Sequence, residues 1–152
     1  MTSRSHFPTV GILGAGQMAR MLIEAATRLN IEIKLLSKSS DESAALIANN
    51  VIVGDLNNYS DLSVFALDTD VITFDLKEFP YENLKRLEKE GQVFRSQISA
   101  IEQLENSDFV KKTLIDANLS FQDNVANFER LLSVQAARSE HGQTVVYSVV
   151  QS

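Results

Sequence analysis

The sequence predicts an α/β fold, with a Rossmann-like parallel sheet flanked by helices and a β-hairpin after it. Over the first two thirds of the chain, short β-branched runs alternate with helical patterns, which is typical of βαβ units. The run Thr9–Leu13 is almost continuously apolar, as expected of a parallel strand that is covered on both faces. After Asn118 the pattern changes to two apolar runs around a turn, which predicts the hairpin.

Each element of the α/β part follows from local periodicity. Runs of β-branched and aliphatic residues predict five strands, namely Thr9–Leu13, Ile31–Leu36, Val51–Val53, Val71–Phe74 and Gln92–Phe94. Apolar residues at spacings of three and four predict helices, namely Gln17–Leu29, Ser43–Ala48, Asp61–Leu67, Tyr81–Glu90, Ile98–Leu104 and Asp108–Ala117. Pro80 suits the first turn of the fourth helix. Ser60 or Asp61 is expected near the cap of the third helix, and Ser107 at the cap of the last.

The hairpin is expected to pair Leu132–Arg138 with Thr144–Val150 across the turn Ser139–Gly142. A lone hairpin is marginally stable in water. Either the hairpin packs against another surface, or the chain is a piece of a longer protein. We favour the second interpretation. We therefore predict a Rossmann-like domain over residues 1–118, a junction over 119–127 and a hairpin fragment over 128–152.

Composition excludes several classes of protein. There are 14 Lys+Arg against 20 Asp+Glu, for a net charge of −6, so binding to nucleic acid or to an anionic membrane is not expected. No apolar run approaches the roughly 20 residues of a spanning helix, and residues 1–8 have no apolar signal region; we expect a cytoplasmic protein. Cysteine is absent, which excludes disulfides and thiol catalysis. Spacing identifies no catalytic triad and no metal cluster.

A glycine turn, Gly14-Ala15-Gly16-Gln17-Met18-Ala19, joins the first strand to the first helix. Glycines in such a turn let backbone N–H groups approach an anion at the positive end of the helix. The alternative is that they only permit close packing of strand and helix. An NAD site needs an acidic residue at the end of the second strand, and none occurs there before Asp41. NAD is disfavoured, whereas an NADP site using Lys38 and its flanking serines stays open.

Two side chains near this turn are candidates for ligand contact. Gln17 stands at the start of the helix, and its alternative role is that of an exposed residue in the first helical turn. Asp75 follows the strand Val71–Phe74, at the edge where open α/β sheets bind ligands. Its alternative role is to cap a helix or to anchor a loop.

The stretch Val10–Leu22, in particular its Gly-Gln-x-x-Arg-Met portion, resembles the opening of the 5-(carboxyamino)imidazole ribonucleotide synthases. These enzymes are also known as the ATPase subunit of phosphoribosylaminoimidazole carboxylase. Further similar stretches are Val53–Asp55, Asp70–Asp75 with Pro80, Phe128–Arg138 and Gly142–Tyr147. The resemblance implies a pre-ATP-grasp domain followed by a fragment of an ATP-grasp core.

The resemblance implies a ligase of purine biosynthesis, cytoplasmic and homodimeric, that joins bicarbonate to aminoimidazole ribonucleotide through carboxyphosphate, using ATP and magnesium. It places Gly14, Gly16, Gln17 and Asp75 at the substrate and Lys111 near the nucleotide. It assigns no catalytic residue and no magnesium ligand to this chain.

Several departures from the family pattern predict that the chain alone is incomplete for catalysis. The family's glycine-rich phosphate loop, expected between Asn118 and Phe128, is missing, as is the magnesium-holding C-terminal half. Lys77 replaces a substrate-binding carboxylate, Ser107 a basic residue and Leu131 a glutamate. Two alternatives stay open, a non-catalytic relative that serves binding or oligomerisation and an NADP-dependent oxidoreductase.

Overall fold

The computed structural model describes residues 8–119, 132–139 and 141–151. The chain divides into two compact units, Met1–Ser107 and Asp108–Ser152. The first unit contains a parallel sheet with helices, and the second contains short antiparallel strands.

The sheet of the first unit has four parallel strands in the order β3-β2-β1-β4. They are β1 (Val10–Leu13), β2 (Ile33–Ser37), β3 (Val51–Val53) and β4 (Val71–Phe74). Leu13, the last residue of β1, pairs with Leu36 on one side and Phe74 on the other. Because all four strands are parallel, their carboxyl ends lie at one edge, which is where such sheets bind ligands. The predicted fold class is confirmed.

The described helices are α1 (Gln17–Arg28), α2 (Tyr59–Ala66), α3 (Tyr81–Lys89), α4 (Ile98–Glu105) and α5 (Ser107–Asp116). Five of the predicted helices are confirmed with small differences at their ends. The cap residue of α2 is Asn58, whose side chain accepts a hydrogen bond from Ser60 N, and Ser60 and Asp61 lie in the first turn near this cap, as expected. No described helix is long and apolar enough to cross a membrane.

Two predicted elements of the first unit are wrong. The predicted helix Ser43–Ala48 is instead a series of turns, in which buried Ala44 donates its N–H to the carbonyl of Ala15 in the glycine turn (3.0 Å). Gln92–Phe94 is not a strand, and Phe94 makes a single parallel bridge to Ile72. Both short segments thus make tertiary contacts in place of the predicted regular structure.

The core consists of two clusters, which alternate along β1 because successive side chains of a strand point to opposite faces. Ile12 packs with Ala19 and Ile23 of α1. Leu13 belongs to the larger cluster, together with Phe65 of α2 and residues of α3. The helices thus cover both faces of the sheet and leave its carboxyl edge accessible.

The second unit contains four short strands: β5 (Leu132–Ser133), β6 (Ala136–Arg138), β7 (Thr144–Val146) and β8 (Val150–Gln151). β6 pairs with β7 and β5 with β8, both antiparallel. The turn is closed by Gly142 N, which donates to Ser139 O at 3.0 Å. The predicted hairpin is confirmed, although its strands form two separate pairs, β6 with β7 and β5 with β8. The described residues of these strands are exposed.

Candidate functional site

An open cleft of ≈ 790 Å³ lies where β1, β2 and β4 end. Its lining includes the glycine turn, the first residues of α1 and the segment Asp75–Glu78 after β4. The structure therefore brings four predicted site residues to one place, namely Gly14, Gly16, Gln17 and Asp75.

Both glycines of the turn are required by the close approach of Asp75. Gly14 has φ +97°, and a Cβ there would lie 2.1 Å from the carbonyl oxygen of Asp75. A Cβ on Gly16 would lie 2.9 Å from Asp75 Oδ2. A side chain at position 14 would collide with the backbone after β4, whereas one at position 16 would meet the end of the Asp75 side chain, so both glycines permit the close packing seen here.

The carboxylate of Asp75, the residue that follows β4, caps the N-terminus of α1. Gly16 is the N-cap residue of α1 and supplies no side-chain hydrogen bond. Asp75 Oδ2 accepts a hydrogen bond from Ala19 N at 2.8 Å instead. It satisfies one of the free N–H groups in the first turn of the helix and places a negative charge at the positive end of the helix dipole.

Glu42 is a site residue that the sequence analysis missed. Its Oε2 accepts hydrogen bonds from Lys38 N (3.0 Å) and from the hydroxyl of Ser37. The carboxylate therefore closes the loop after β2, where dinucleotide-binding folds contact a ribose. The sequence signal for this contact was that Glu42 follows Lys38 closely in a serine-rich loop, since such loops favour local hydrogen bonds to the backbone.

The charged groups that line the cleft have both signs. Gln17, at the start of α1, is exposed. Two lysines and three carboxylates contribute to the lining, namely Lys38, Lys77, Glu42, Asp75 and Glu78. Lys77 and Glu78 are exposed. The cleft can therefore accept and donate hydrogen bonds, while its charged side chains carry a net negative charge.

Two acidic residues elsewhere in the first unit accept hydrogen bonds from the backbone. Asp61 Oδ2 accepts from Asp55 N at 2.8 Å, and Asp55 Oδ1 accepts from Asn57 N at 2.9 Å. Among residues 8–119, 132–139 and 141–151, no group of three or more His, Cys, Asp or Glu is placed to hold a metal ion.

The other predicted positions either do not line this cleft or lie outside the described residues. Lys111 is on α5 in the second unit, and its contact with a nucleotide stays a prediction. Ser107 is the first helical residue of α5 rather than the cap residue before it, which corrects the expected cap. Leu131 and most of the interval from Asn118 to Phe128 are outside the described residues.

Comparisons with known proteins identify relatives of this chain. The model of the ribonucleotide synthetase preATP-grasp domain matches residues 7–103. The N5-carboxyaminoimidazole ribonucleotide synthase of Mycobacterium leprae (strain TN) is 38% identical over 84 residues, which are 55% of this chain and 19% of that protein.

Solved structures match over more of the chain. The N5-carboxyaminoimidazole ribonucleotide synthetase of Thermotoga maritima superimposes with a TM-score of 0.81 at 19% identity, over 95% of this chain and 53% of that one. The Aspergillus clavatus N5-carboxyaminoimidazole synthase, in complex with ADP and 5-aminoimidazole ribonucleotide, has a TM-score of 0.64 at 26% identity, over 73% of this chain and 30% of that one.

The chain thus spans 19% of the curated relative and about half or less of these solved chains. The family match covers well over half of the chain, from the residue before Pro8 to within α4, and includes the glycine turn and Asp75. The resemblance inferred from the sequence is confirmed for this domain: the chain belongs to the ribonucleotide synthetase preATP-grasp domain family.

Proposed function

We propose that this chain supplies the substrate-binding domain of an enzyme that carboxylates aminoimidazole ribonucleotide in purine biosynthesis, with ATP and bicarbonate through carboxyphosphate. The observation that carries the proposal is the cleft at the carboxyl edge of the sheet, which lies within the part matched by the preATP-grasp family model. Two relatives support the proposal. One is named N5-carboxyaminoimidazole ribonucleotide synthase, and the other is an N5-carboxyaminoimidazole synthase in complex with ADP and 5-aminoimidazole ribonucleotide.

Four residues of the cleft are proposed to hold the substrate. Gly14 and Gly16 shape the turn, and Gln17 offers both a donor and an acceptor from its exposed amide. Asp75 uses one acceptor position of its carboxylate on Ala19 N, and a carboxylate has about four. The remaining acceptor capacity suits the amine or hydroxyl groups of an aminoimidazole ribonucleotide.

The phosphate of the substrate needs cationic partners. Lys38 and Lys77 are the lysines that line the cleft, after β2 and β4 respectively. We assign Lys77 to the phosphate, because hydrogen bonds from charged donors to phosphate are about twice as strong as neutral ones, whereas the loop of Lys38 already holds the carboxylate of Glu42. Lys77 then has a different role from the carboxylate that the family pattern places at this position.

The finer parts of the proposal rest on the family resemblance. They include the division into residues 1–118, 119–127 and 128–152, a nucleotide contact of Lys111, a homodimer and a cytoplasmic location. ATP and magnesium belong to the complete enzyme, in which the ion neutralises phosphate charge. The resemblance places the magnesium ligands in the C-terminal half of such an enzyme, so we assign none to this chain.

Neither alternative from the sequence is favoured. The carboxylate of Glu42 accepts hydrogen bonds from Lys38 N and from the hydroxyl of Ser37. A phosphate of NADP would therefore approach a carboxylate in the loop where the oxidoreductase hypothesis requires positive charge. The matched family is one of ribonucleotide synthetases, which gives no support to a purely non-catalytic relative.

Isothermal titration of the purified chain with aminoimidazole ribonucleotide tests the proposal. Saturable binding is expected, and Gln17→Ala should weaken it roughly three- to tenfold, since a hydrogen bond of ordinary strength is lost. Gln103→Ala, on an exposed position of α4, is the matched control and should bind like the unmodified chain. Absence of binding, or equal affinities for both variants and the unmodified chain, would overturn the proposal.

A further inference from the structure

We propose that Met18 and Met21 form a site of reversible oxidation on the wall of this cleft, with hydrogen peroxide as the oxidant and methionine sulfoxide as the product. The modification site itself does not depend on which ligand the cleft binds. Its effect on affinity rests on the proposed function, and separate readouts test the two.

The two methionines stand outside the core packing of α1. The buried residues of this helix are Ala19, Ile23 and Ala26, whereas Met18 and Met21 are 59% and 56% exposed. The apolar spacing of the sequence predicts both methionines on the core face of the helix. Burial therefore does not account for two long thioether side chains at these positions.

Both methionines belong to the cleft instead. They lie three residues apart, which places them on one side of the helix, and both line the ≈ 790 Å³ cleft beside Gln17. Because more than half of each residue is exposed, a small neutral oxidant can reach the pair through the open cleft.

The sulfur chemistry of this chain is confined to thioethers. The sequence has no cysteine and three methionines, so no thiol of the chain competes for the oxidant. Hydrogen peroxide transfers one oxygen atom to the thioether: the O–O bond breaks, an S–O bond forms, the sulfur is oxidised by an electron pair and the other oxygen leaves with both hydrogens as water. Methionine sulfoxide reductases reverse the change, with a dithiol as the reductant that becomes a disulfide.

Oxidation changes this wall of the cleft from apolar to polar. The lining already holds the carboxylates of Glu42, Asp75 and Glu78. Each sulfoxide adds an acceptor oxygen and removes a polarisable sulfur on which an aromatic ring can pack. For a phosphate-bearing ligand with an aromatic base, we expect the oxidised cleft to have roughly three- to tenfold lower affinity, the scale of a sulfur–aromatic contact.

The first readout involves no nucleotide. The 152-residue chain is treated with hydrogen peroxide, catalase removes the excess, and peptide mass spectrometry measures the oxygen added at Met18 and at Met21. Both residues should be oxidised at a rate close to that of a free methionine peptide, and methionine sulfoxide reductases of both stereospecificities with dithiothreitol should restore them. The NMR signals of the Gly16 and Lys77 amides, which line the cleft, should shift on oxidation and return on reduction.

The second readout is the affinity for aminoimidazole ribonucleotide, measured by isothermal titration before peroxide, after peroxide and after the reductases. The double variant Met18→Leu with Met21→Leu keeps an apolar wall of similar volume but has no sulfur in the cleft. Each protein is compared with its own affinity before treatment. Peroxide should weaken binding by the unmodified chain and leave the affinity of the double variant unchanged.

Two further variants make the test independent of peroxide. Met21→Gln puts an amide oxygen on the cleft wall, as the sulfoxide would, and should weaken binding without oxidation. Leu29→Gln is the matched control: it makes the same apolar-to-amide change at the end of α1, at a residue that is 64% exposed and does not line the cleft. It should bind like the unmodified chain.

The proposal is overturned if Met18 and Met21 resist peroxide that oxidises the free peptide, if the reductases do not restore them, or if oxidation leaves the amides of Gly16 and Lys77 unshifted. It is also overturned if the double leucine variant loses as much affinity on oxidation as the unmodified chain, or if Met21→Gln binds like Leu29→Gln. Reversible oxidation with shifted amides, but no binding of aminoimidazole ribonucleotide by any of these proteins, would support the modification site and overturn the proposed function alone.

Discussion

Asp75 Oδ2 accepts the N–H of Ala19 at 2.8 Å, which links the end of β4 to the first turn of α1 across 56 residues of sequence. The helix begins after a glycine that has no side chain to cap it. A neighbouring strand therefore supplies the cap that the local sequence lacks. Asp75 also approaches the glycine turn closely, with its carbonyl oxygen beside Gly14 and its carboxylate beside Gly16.

Removing this carboxylate should weaken the fold measurably. Asp75→Ala is expected to lower the free energy of unfolding by about 1–2 kcal/mol, the usual effect of losing a helix cap. Asp75→Asn should lose less, because its amide oxygen can still accept from Ala19 N. Urea denaturation measures both, with Glu78→Ala, an exposed residue of the same segment, as the control. Equal stability of Asp75→Ala and Glu78→Ala would contradict the capping role.

Gly14 should tolerate no side chain. Its φ is +97°, and a Cβ would lie 2.1 Å from the carbonyl oxygen of Asp75. Gly91 has a similar φ of +101° but nothing within 4 Å of its Cβ position, so Gly91→Ala should cost only the left-handed backbone penalty of about 1–2 kcal/mol.

Gly14→Ala adds the collision to that penalty and should therefore unfold at markedly lower urea concentration than Gly91→Ala. Thermal and urea unfolding followed by circular dichroism compare the two variants. Similar losses in both would mean that the turn and β4 can separate without cost, against the packing described here.

Reversing the charge of Lys77 should weaken substrate binding. If Lys77 holds the phosphate of aminoimidazole ribonucleotide, Lys77→Glu is expected to reduce affinity on the order of tenfold or more, the scale of one hydrogen bond to a charged group. Lys89→Glu, an equal charge change on an exposed position of α3, is the control in isothermal titration. Tighter binding by Lys77→Glu would instead favour a carboxylate role at this position.

The acid side of the stability profile should depend on Glu90. Its hydrogen bond from the hydroxyl of Tyr59, with a further contribution from Arg86, holds the pKa of Glu90 below the ordinary value of 4.5. Arg86 itself stacks its guanidinium 3.6 Å from the centre of the Tyr59 ring. Because the pKa is lowered in the folded state, the stabilisation is complete above pH 4.5 and is lost as the pH falls through the lowered value.

Urea unfolding of the unmodified chain and of Glu90→Gln, at neutral pH and at several values below 4.5, checks this sign. The difference between the two proteins should shrink as the medium becomes more acidic. A difference that stays constant or grows with acidity would show that Glu90 contributes nothing through its charge.

The fold was largely predictable from the sequence because its main elements are strongly patterned. The apolar run of β1 encodes burial in the two core clusters. On α1 the buried residues Ala19, Ile23 and Ala26 follow the three- and four-residue spacing of a helix, although the predicted apolar residues Met18, Met21, Leu22 and Leu29 are exposed. The segment Ser43–Ala48 was not predictable in the same way, because its short apolar pattern fits both a helix and the turns that place Ala44 in the core. The single bridge of Phe94 likewise depends on its neighbour Ile72.

The candidate site was only partly predictable for a similar reason. The sequence correctly placed Asp75, which follows a strand, and Gln17, which begins a helix, at the cleft. Both positions follow from the parallel topology of the sheet. The sequence left ligand contact and helix capping both open for Asp75, because its partner Ala19 is distant along the chain. Glu42 was missed because its role depends on how the loop after β2 folds back on Lys38.

The central claim is that this cleft binds aminoimidazole ribonucleotide and excludes dinucleotides. The most direct measurement is a parallel NMR titration of the same labelled chain with aminoimidazole ribonucleotide and with NADPH, following the amides of Gln17, Lys38 and Lys77. The account predicts saturable shifts at these residues with aminoimidazole ribonucleotide and none with NADPH. Saturable shifts of these amides with NADPH, or no shifts with aminoimidazole ribonucleotide, would contradict the account.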